Sequence, residues 1–211
     1  WTAWNGTDEI TYDADTKTAY IYLEKDATRD DYLDIKAGYT LYLCLNGKKL
    51  ISSSTGSTAY QMMSQVINVD NNAQFILCDC KDSGTITHSS GAKGKGVRVG
   101  GSSNTAATFS MYGGTISGNH ADAQCWAKYQ NIDGGTIRDN TADEAGGGIR
   151  TNSYKFIISG NSVIENNTAV KGGGVYYGSS SNTMTISESA RISDNTATGN
   201  GGGIYFDSEG T

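Results

Sequence analysis

Basic residues are in deficit. Lys and Arg number 16 against 22 Asp and Glu, a formal charge of -6. Nucleic-acid binding needs a basic face to neutralise phosphate, so that function class is excluded. Long apolar runs are missing too. No stretch of about 18 apolar residues exists, so no segment can cross a membrane as a helix, and no membrane contact by this chain is expected. The chain opens on Trp1 without a basic-then-apolar leader, and any secretion signal is expected to have been removed or to lie outside it. Proline is absent, and phenylalanine is scarce, 4 residues against 13 tyrosines. Histidine is limited to His88 and His120. Neither has ligand spacing to the cysteines Cys44, Cys78, Cys80 and Cys125, two of which are a single residue apart in "CDC". That pattern does not build a zinc site, and no metal or cofactor is expected. The cysteines read as small buried hydrophobes in strands. A Cys44–Cys78 disulfide is the sharper alternative. It would be strained between directly paired strands, so four free thiols are expected.

What is abundant is glycine, 28 of 211 residues, and it recurs in register. Four segments align: "GGTISGNHA" (113–121), "GGTIRDNTA" (134–142), "NSVIENNTA" (161–169) and "SARISDNTA" (189–197). Their isoleucines, Ile116, Ile137, Ile164 and Ile192, are spaced 21, 27 and 28 residues apart. A second element interleaves: "GGGIR" (146–150), "GGGVYY" (172–177) and "GGGIYF" (201–206), with "GKGVRV" (94–99) as an earlier, degenerate copy. Strand-like runs such as "ATFSMYGG", "KFIISG" and "NTMTISES" lie between them. No segment shows helical periodicity. A period in the twenties with all-β content predicts a solenoid that winds once per repeat. Its strands would stack in parallel about 4.8 Å apart. Ile116, Ile137, Ile164 and Ile192 would form one inward column, and Val97, Ile149, Val175 and Ile204 another. Glycine would sit at the tight corners, where φ is often positive. A phosphate loop is excluded because no helix follows the glycines. Asn119, Asn140, Asn167 and Asn195, each three residues after a column isoleucine, are expected to stack as a structural amide ladder.

The pairing of "GGTISGN" with "NTA…GGGI" resembles the right-handed parallel β-helix repeats of large surface proteins of gut-dwelling Gram-positive bacteria. It is also similar to the repeats of chlamydial polymorphic outer-membrane proteins. The resemblance covers roughly residues 84–206. It implies an all-β, single-stranded right-handed parallel β-helix with three short strands per coil and an N-terminal cap. It also implies a secreted or cell-surface location and an adhesin-like role in host interaction. The expected organisation is a cap over 1–19, divergent first coils over 20–83, and regular repeats over 84–211. The chain stops at Thr211 soon after a Gly-rich strand, so it is expected to be part of a longer multidomain protein. Trp1 and Trp4 are expected to pack the cap. "YTLYLCLNGKKLISSS" and "AQFILCDCKDSGTITHSS" read as divergent copies of one coil, with Leu43 beside Leu77 and Cys44 beside Cys78. The stretch "HADAQCWAKYQNIDGG" breaks the pattern, and its coil is expected to lack a regular third side or to bulge.

Catalytic constellations are scarce. The Asn-Thr-Asp, Asp-Asp, Gly-His-Gly and Arg-Ile-Lys motifs of pectin-acting β-helices are missing, as are the Gly-x-Ser-x-Gly elbow and the calcium nonapeptide. The nearest approach is Asp139, Asp143 and Glu144 beside Arg138 and Arg150, which reads as a solvated corner. No catalytic residue is assigned, and no enzyme is expected. Binding leaves a better trace. If Val97, Ile149, Val175 and Ile204 point inward, then Arg98, Arg150, Tyr176 and Tyr205 point outward, one above the next. Tyr and Arg are enriched in interface hot spots, so this strip is the candidate contact for a host or bacterial surface protein or glycan. Trp126 and Tyr129 in the irregular coil are the second candidate. The alternatives are a carbohydrate-active enzyme, a polysaccharide lyase or glycoside hydrolase, on an outer face, and a purely structural stalk.

Overall fold

A computed structural model describes residues 1–54, 65–100, 106–121, 129–178 and 183–207. Among these residues there are β-strands and no helix. Thr18–Leu23 illustrates why. Its "TAYIYL" alternates, burying Ala19, Ile21 and Leu23 while Thr18, Tyr20 and Tyr22 face outward, as period-two patterning requires. The strand pairs in parallel with Thr40–Cys44 of the next coil, and that strand with Gln74–Cys78. The stacking continues through Thr108–Met111, Tyr129–Ile132 and Lys155–Ile158 to Thr183–Ile186. With Thr2–Trp4 paired onto Thr18–Leu23, this first face is one eight-stranded parallel sheet. The segment expected as a cap thus contributes its first strand. The molecule is a parallel β-helix.

The second face is a seven-stranded parallel sheet. Its inward column runs Ala27, Leu50, Ile86, Ile116, Ile137, Ile164, Ile192, each the register partner of the next. The predicted isoleucine column is therefore real and extends three coils further toward the N-terminus. Ile164 is fully buried. The "NHA" and "NTA" segments add a short ladder of their own, His120–Ala121, Thr141–Ala142, Thr168–Ala169 and Thr196–Ala197.

The third face is broken into two blocks. Leu33–Ile35, Gln65–Val69 and Lys95–Val99 form one; Ile149–Thr151, Val175–Tyr177 and Ile204–Phe206 form the other. The expected column Val97–Ile149–Val175–Ile204 is corrected accordingly. Val97 pairs with Ile67, whereas Ile149 pairs with Val175 and Val175 with Ile204. The coil between the blocks is the shortest, 21 residues between Ile116 and Ile137 against 27 and 28 in the next two. Among the described residues it has no third-face strand.

The glycine triplets do two things. The first glycine of each, Gly146, Gly172 or Gly201, has φ of +69, +61 or +70°, a left-handed corner that costs other residues energy. The next two fail to accept a side chain for a different reason. A Cβ on Gly173 would lie 2.3 Å from Thr196 O and 2.6 Å from Gly202 O. Successive triplets hydrogen-bond directly, Gly147 N to Gly172 O at 3.2 Å and Gly173 N to Gly201 O at 3.1 Å. Coil lies on coil with no room between.

Candidate functional site

A polar ladder in the interior fixes the frame of the site. Asn119, Asn140, Asn167 and Asn195 form the expected ladder. Asn119 Nδ2 donates to Asn140 Oδ1 at 3.0 Å, Asn140 Nδ2 to Asn167 Oδ1 at 3.0 Å, and Asn167 Nδ2 to Asn195 Oδ1 at 2.9 Å. Each acceptor also takes the preceding asparagine's backbone N–H. Each donor also reaches a backbone carbonyl, Ile116 O, Ile137 O and Ile164 O for the last three. Buried amides are thus satisfied along the axis, as burial demands. At the N-terminal end the series closes on His88, whose Nδ1 lies 2.8 Å from Asn119 Oδ1. That amide oxygen can only accept, so Nδ1 carries the proton.

On the outer face of the third side, Arg150, Tyr176 and Tyr205 are register partners on three successive coils. The two rings stack, 5.6 Å between centroids and 20° apart in plane. Arg150 Cζ lies 5.3 Å from the Tyr176 centroid and Lys171 Nζ 5.3 Å from that of Tyr205, within range for cation–π attraction. Arg150 Nη1 also pairs with Glu144 Oε2 at 3.2 Å. The Tyr176 hydroxyl donates to Asp207 Oδ2. Burial, with the Asp207 hydrogen bond and charge behind it, pushes the Tyr176 hydroxyl up to about 12. The ring is therefore a neutral donor at any physiological pH.

Arg98 is not part of this strip. It lies on the other block, where its Nη1 donates to Asn68 Oδ1 at 2.8 Å and Asn68 Nδ2 donates to Asp34 Oδ1 at 2.7 Å. The predicted four-residue column is two separate surfaces, because the short coil interrupts the face that would join them. Cys125, Trp126 and the side chain of Tyr129 lie outside the described residues.

The sequence reading missed a second aromatic surface, on the outside of the first face. Tyr20 and Tyr42 are register partners with rings stacked at 4.4 Å. Trp1 meets Tyr20 edge-on at 5.7 Å and is 63% exposed. Trp1 is therefore not packed into a cap. Trp4 is buried in the core, its Nε1 donating to Asp8 O at 2.9 Å. The signal was present in "AYIYLEK" and "YTLYLCLNG": aligning Ile21 with Leu43 places Tyr20 beside Tyr42.

The acidic corner is exposed and mostly paired off. Arg138 Nη1 meets Asp139 Oδ2 at 2.8 Å, and His120 Nε2 meets Asp143 Oδ1 at 2.7 Å. The His120 hydrogen bond holds the Asp143 carboxyl below its usual range. Among the described residues no group of three His, Cys, Asp or Glu side chains converges as a metal site.

Two comparisons, with curated proteins and with solved structures, return no match. A family model described as the Chlamydia polymorphic membrane protein repeat matches residues 189–207. That span is most of one turn of the solenoid, carrying Arg191–Ser193, Thr196–Ala197 and Ile204–Phe206. It bears out the similarity to chlamydial repeats and supports, in general terms, a place at the bacterial surface.

Proposed function

We propose that this chain is an adhesin-like binding module, displayed outside a bacterial cell, that contacts a protein or glycan through the outer third face. The observation that carries the reading is the registered column of Arg150, Tyr176 and Tyr205. Its backbone is fixed by continuous ladders, so little entropy is lost on contact. Tyrosine offers area with few rotamers to freeze, and Arg150, largely buried and paired with Glu144, braces the Tyr176 ring from behind. The test is to screen the recombinant chain on host-protein, mucin-glycan and polysaccharide arrays, then repeat with Tyr176→Ser/Tyr205→Ser. The double variant is expected to keep its melting temperature and to lose about 1–4 kcal/mol of binding. Undiminished binding, with loss instead in Tyr20→Ser/Tyr42→Ser, would move the contact to the first face.

A second reading has one observation in its favour. The exposed His120–Asp143 pair at 2.7 Å is chemically able to act as a general acid or base, as a carbohydrate-active enzyme would need. Release of product from pectin or mucin, abolished by His120→Ala, would establish it. Silence on binding and turnover alike would leave the stalk.

A further inference from the structure

Three thiols gather where the second and third coils stack on the first face. Cys44 ends its strand and is the register partner of Cys78. Cys80 follows two residues later, in the turn. Cys44 is buried, Cys78 half-buried and Cys80 exposed, and all three are free. The Cys44 thiol neighbours both of the others. Cys78 Sγ points at Leu43 O, 3.6 Å away. Cys44 Sγ lies 3.5 Å from Cys80 Sγ.

The turn carrying Cys80 is pinned over the turn below. Asp79, between the two cysteines, accepts from Gly47 N at 2.7 Å, from Lys81 N at 3.3 Å and from Gly84 N at 2.6 Å. Leu45 N donates to Cys78 O at 2.9 Å. Cys80 Sγ lies 3.6 Å from Asn46 Oδ1. The diagonal pair is thus held in place before any bond forms. A disulfide needs the sulfurs at about 2.05 Å and the Cβ atoms about 3.8 Å apart. The diagonal sulfurs, 3.5 Å apart, are about 1.5 Å from bonding distance. The Cys78 thiol, turned to Leu43 O, is less well placed for it.

We propose that Cys44 and Cys80 are an oxidisable pair that closes into a cross-coil disulfide when the chain meets a small-molecule disulfide such as glutathione disulfide. The exposed Cys80 thiolate attacks one glutathione sulfur, forming a mixed disulfide and releasing one glutathione thiolate. The Cys44 thiolate then attacks the Cys80 sulfur and displaces the second. Two cysteine thiols lose two electrons and two protons, and one glutathione disulfide becomes two glutathione thiols. Burial, with the neighbouring Cys44, pushes the Cys78 thiol up to about 12. Contact with Cys44 raises the Cys80 thiol as well, so its exposure is what makes it the attacking group, and mildly alkaline pH favours the exchange.

The test uses the whole chain, reduced and then incubated with glutathione disulfide near pH 8.5. Thiols are counted, and linked peptides are fragmented between Cys78 and Cys80. A Cys44–Cys80 link is expected. The Cys78→Ser/Cys125→Ser variant should still close. Cys80→Ser/Cys125→Ser should close at least tenfold more slowly, with circular dichroism confirming that both reduced variants are folded. A Cys44–Cys78 link in the unsubstituted chain would overturn the proposal. So would stable glutathione adducts on Cys80 without any linked peptide. The unsubstituted chain decides the matter even where a variant misfolds.

Discussion

His88 sits at a junction between the polar interior and pH. It is 6% exposed, its Nδ1 is committed to Asn119, and its buried Nε2 has no partner. Burial holds its pKa below the ordinary 6.5. Above that value the imidazole is neutral in both folded and unfolded chains, and the stability it supports is fully present. As pH falls below it, the unfolded chain takes a proton that the folded chain resists, so stability is lost. The melting temperature should therefore drop between pH 7.5 and 5.5. In His88→Asn, whose amide nitrogen can take the place of Nδ1–H, that slope should flatten. Equal slopes in the two proteins would mean that another group carries the pH response. Asp143 works in a separate, lower window, since its depressed pKa contributes stability that is lost only as pH falls below about 3.8. Of these details the sequence carried the asparagines, through their fixed offset from the isoleucines. It did not carry the histidine, which follows Ile86 by two residues rather than three and so fell outside the repeat.

At the scale of the element, columns decide stability. Ile164 is fully buried between Ile137 and Ile192. Ile164→Asp puts an unpaired charge there and should cost about 4 kcal/mol or more. Cooperative melting should be lost or shifted down by about 10 °C or more. A midpoint within a degree or two of the parent would remove Ile164 from the interior. The first and second faces were legible because apolar alternation and the repeat agree there. The third face was not. "GKGV" resembles "GGGI" locally, yet strand pairing is set by which coil lies next in space, and a short coil intervenes. The tyrosine pair on the first face was legible only through the divergent early copies, where no shared motif draws the eye. The Cys44–Cys80 approach was hidden for a related reason. Register predicts partners across a rung, while a turn that folds back places side chains on the diagonal.

At the scale of the whole molecule, each coil contacts mainly its neighbours, as in other solenoids. Whole coils should then be removable, and fractions of a coil should not. Deleting residues 140–166 would bring Asn167 directly after Asp139. The shortened chain keeps Ile137 ahead of an asparagine at the same offset, so one rung disappears and the rest re-form. This variant should fold with a melting transition and a β-type circular dichroism spectrum. A deletion of half that length at the same place should leave the chain unfolded or aggregated. Folding of both, or of neither, would count against coil-by-coil modularity.

The asparagine series also has a direction. Every side-chain amide from Asn119 to Asn167 gives one N–H to the next asparagine toward the C-terminus and turns its oxygen to a donor on the N-terminal side, and a histidine stands where the series begins. The amide dipoles therefore add rather than cancel, and the molecule has an electrical head and tail along its axis. Two copies, or two lengths of the same solenoid, could continue one another end to end in only one sense. Tail-to-tail abutment would set the Asn195 N–H donors against one another.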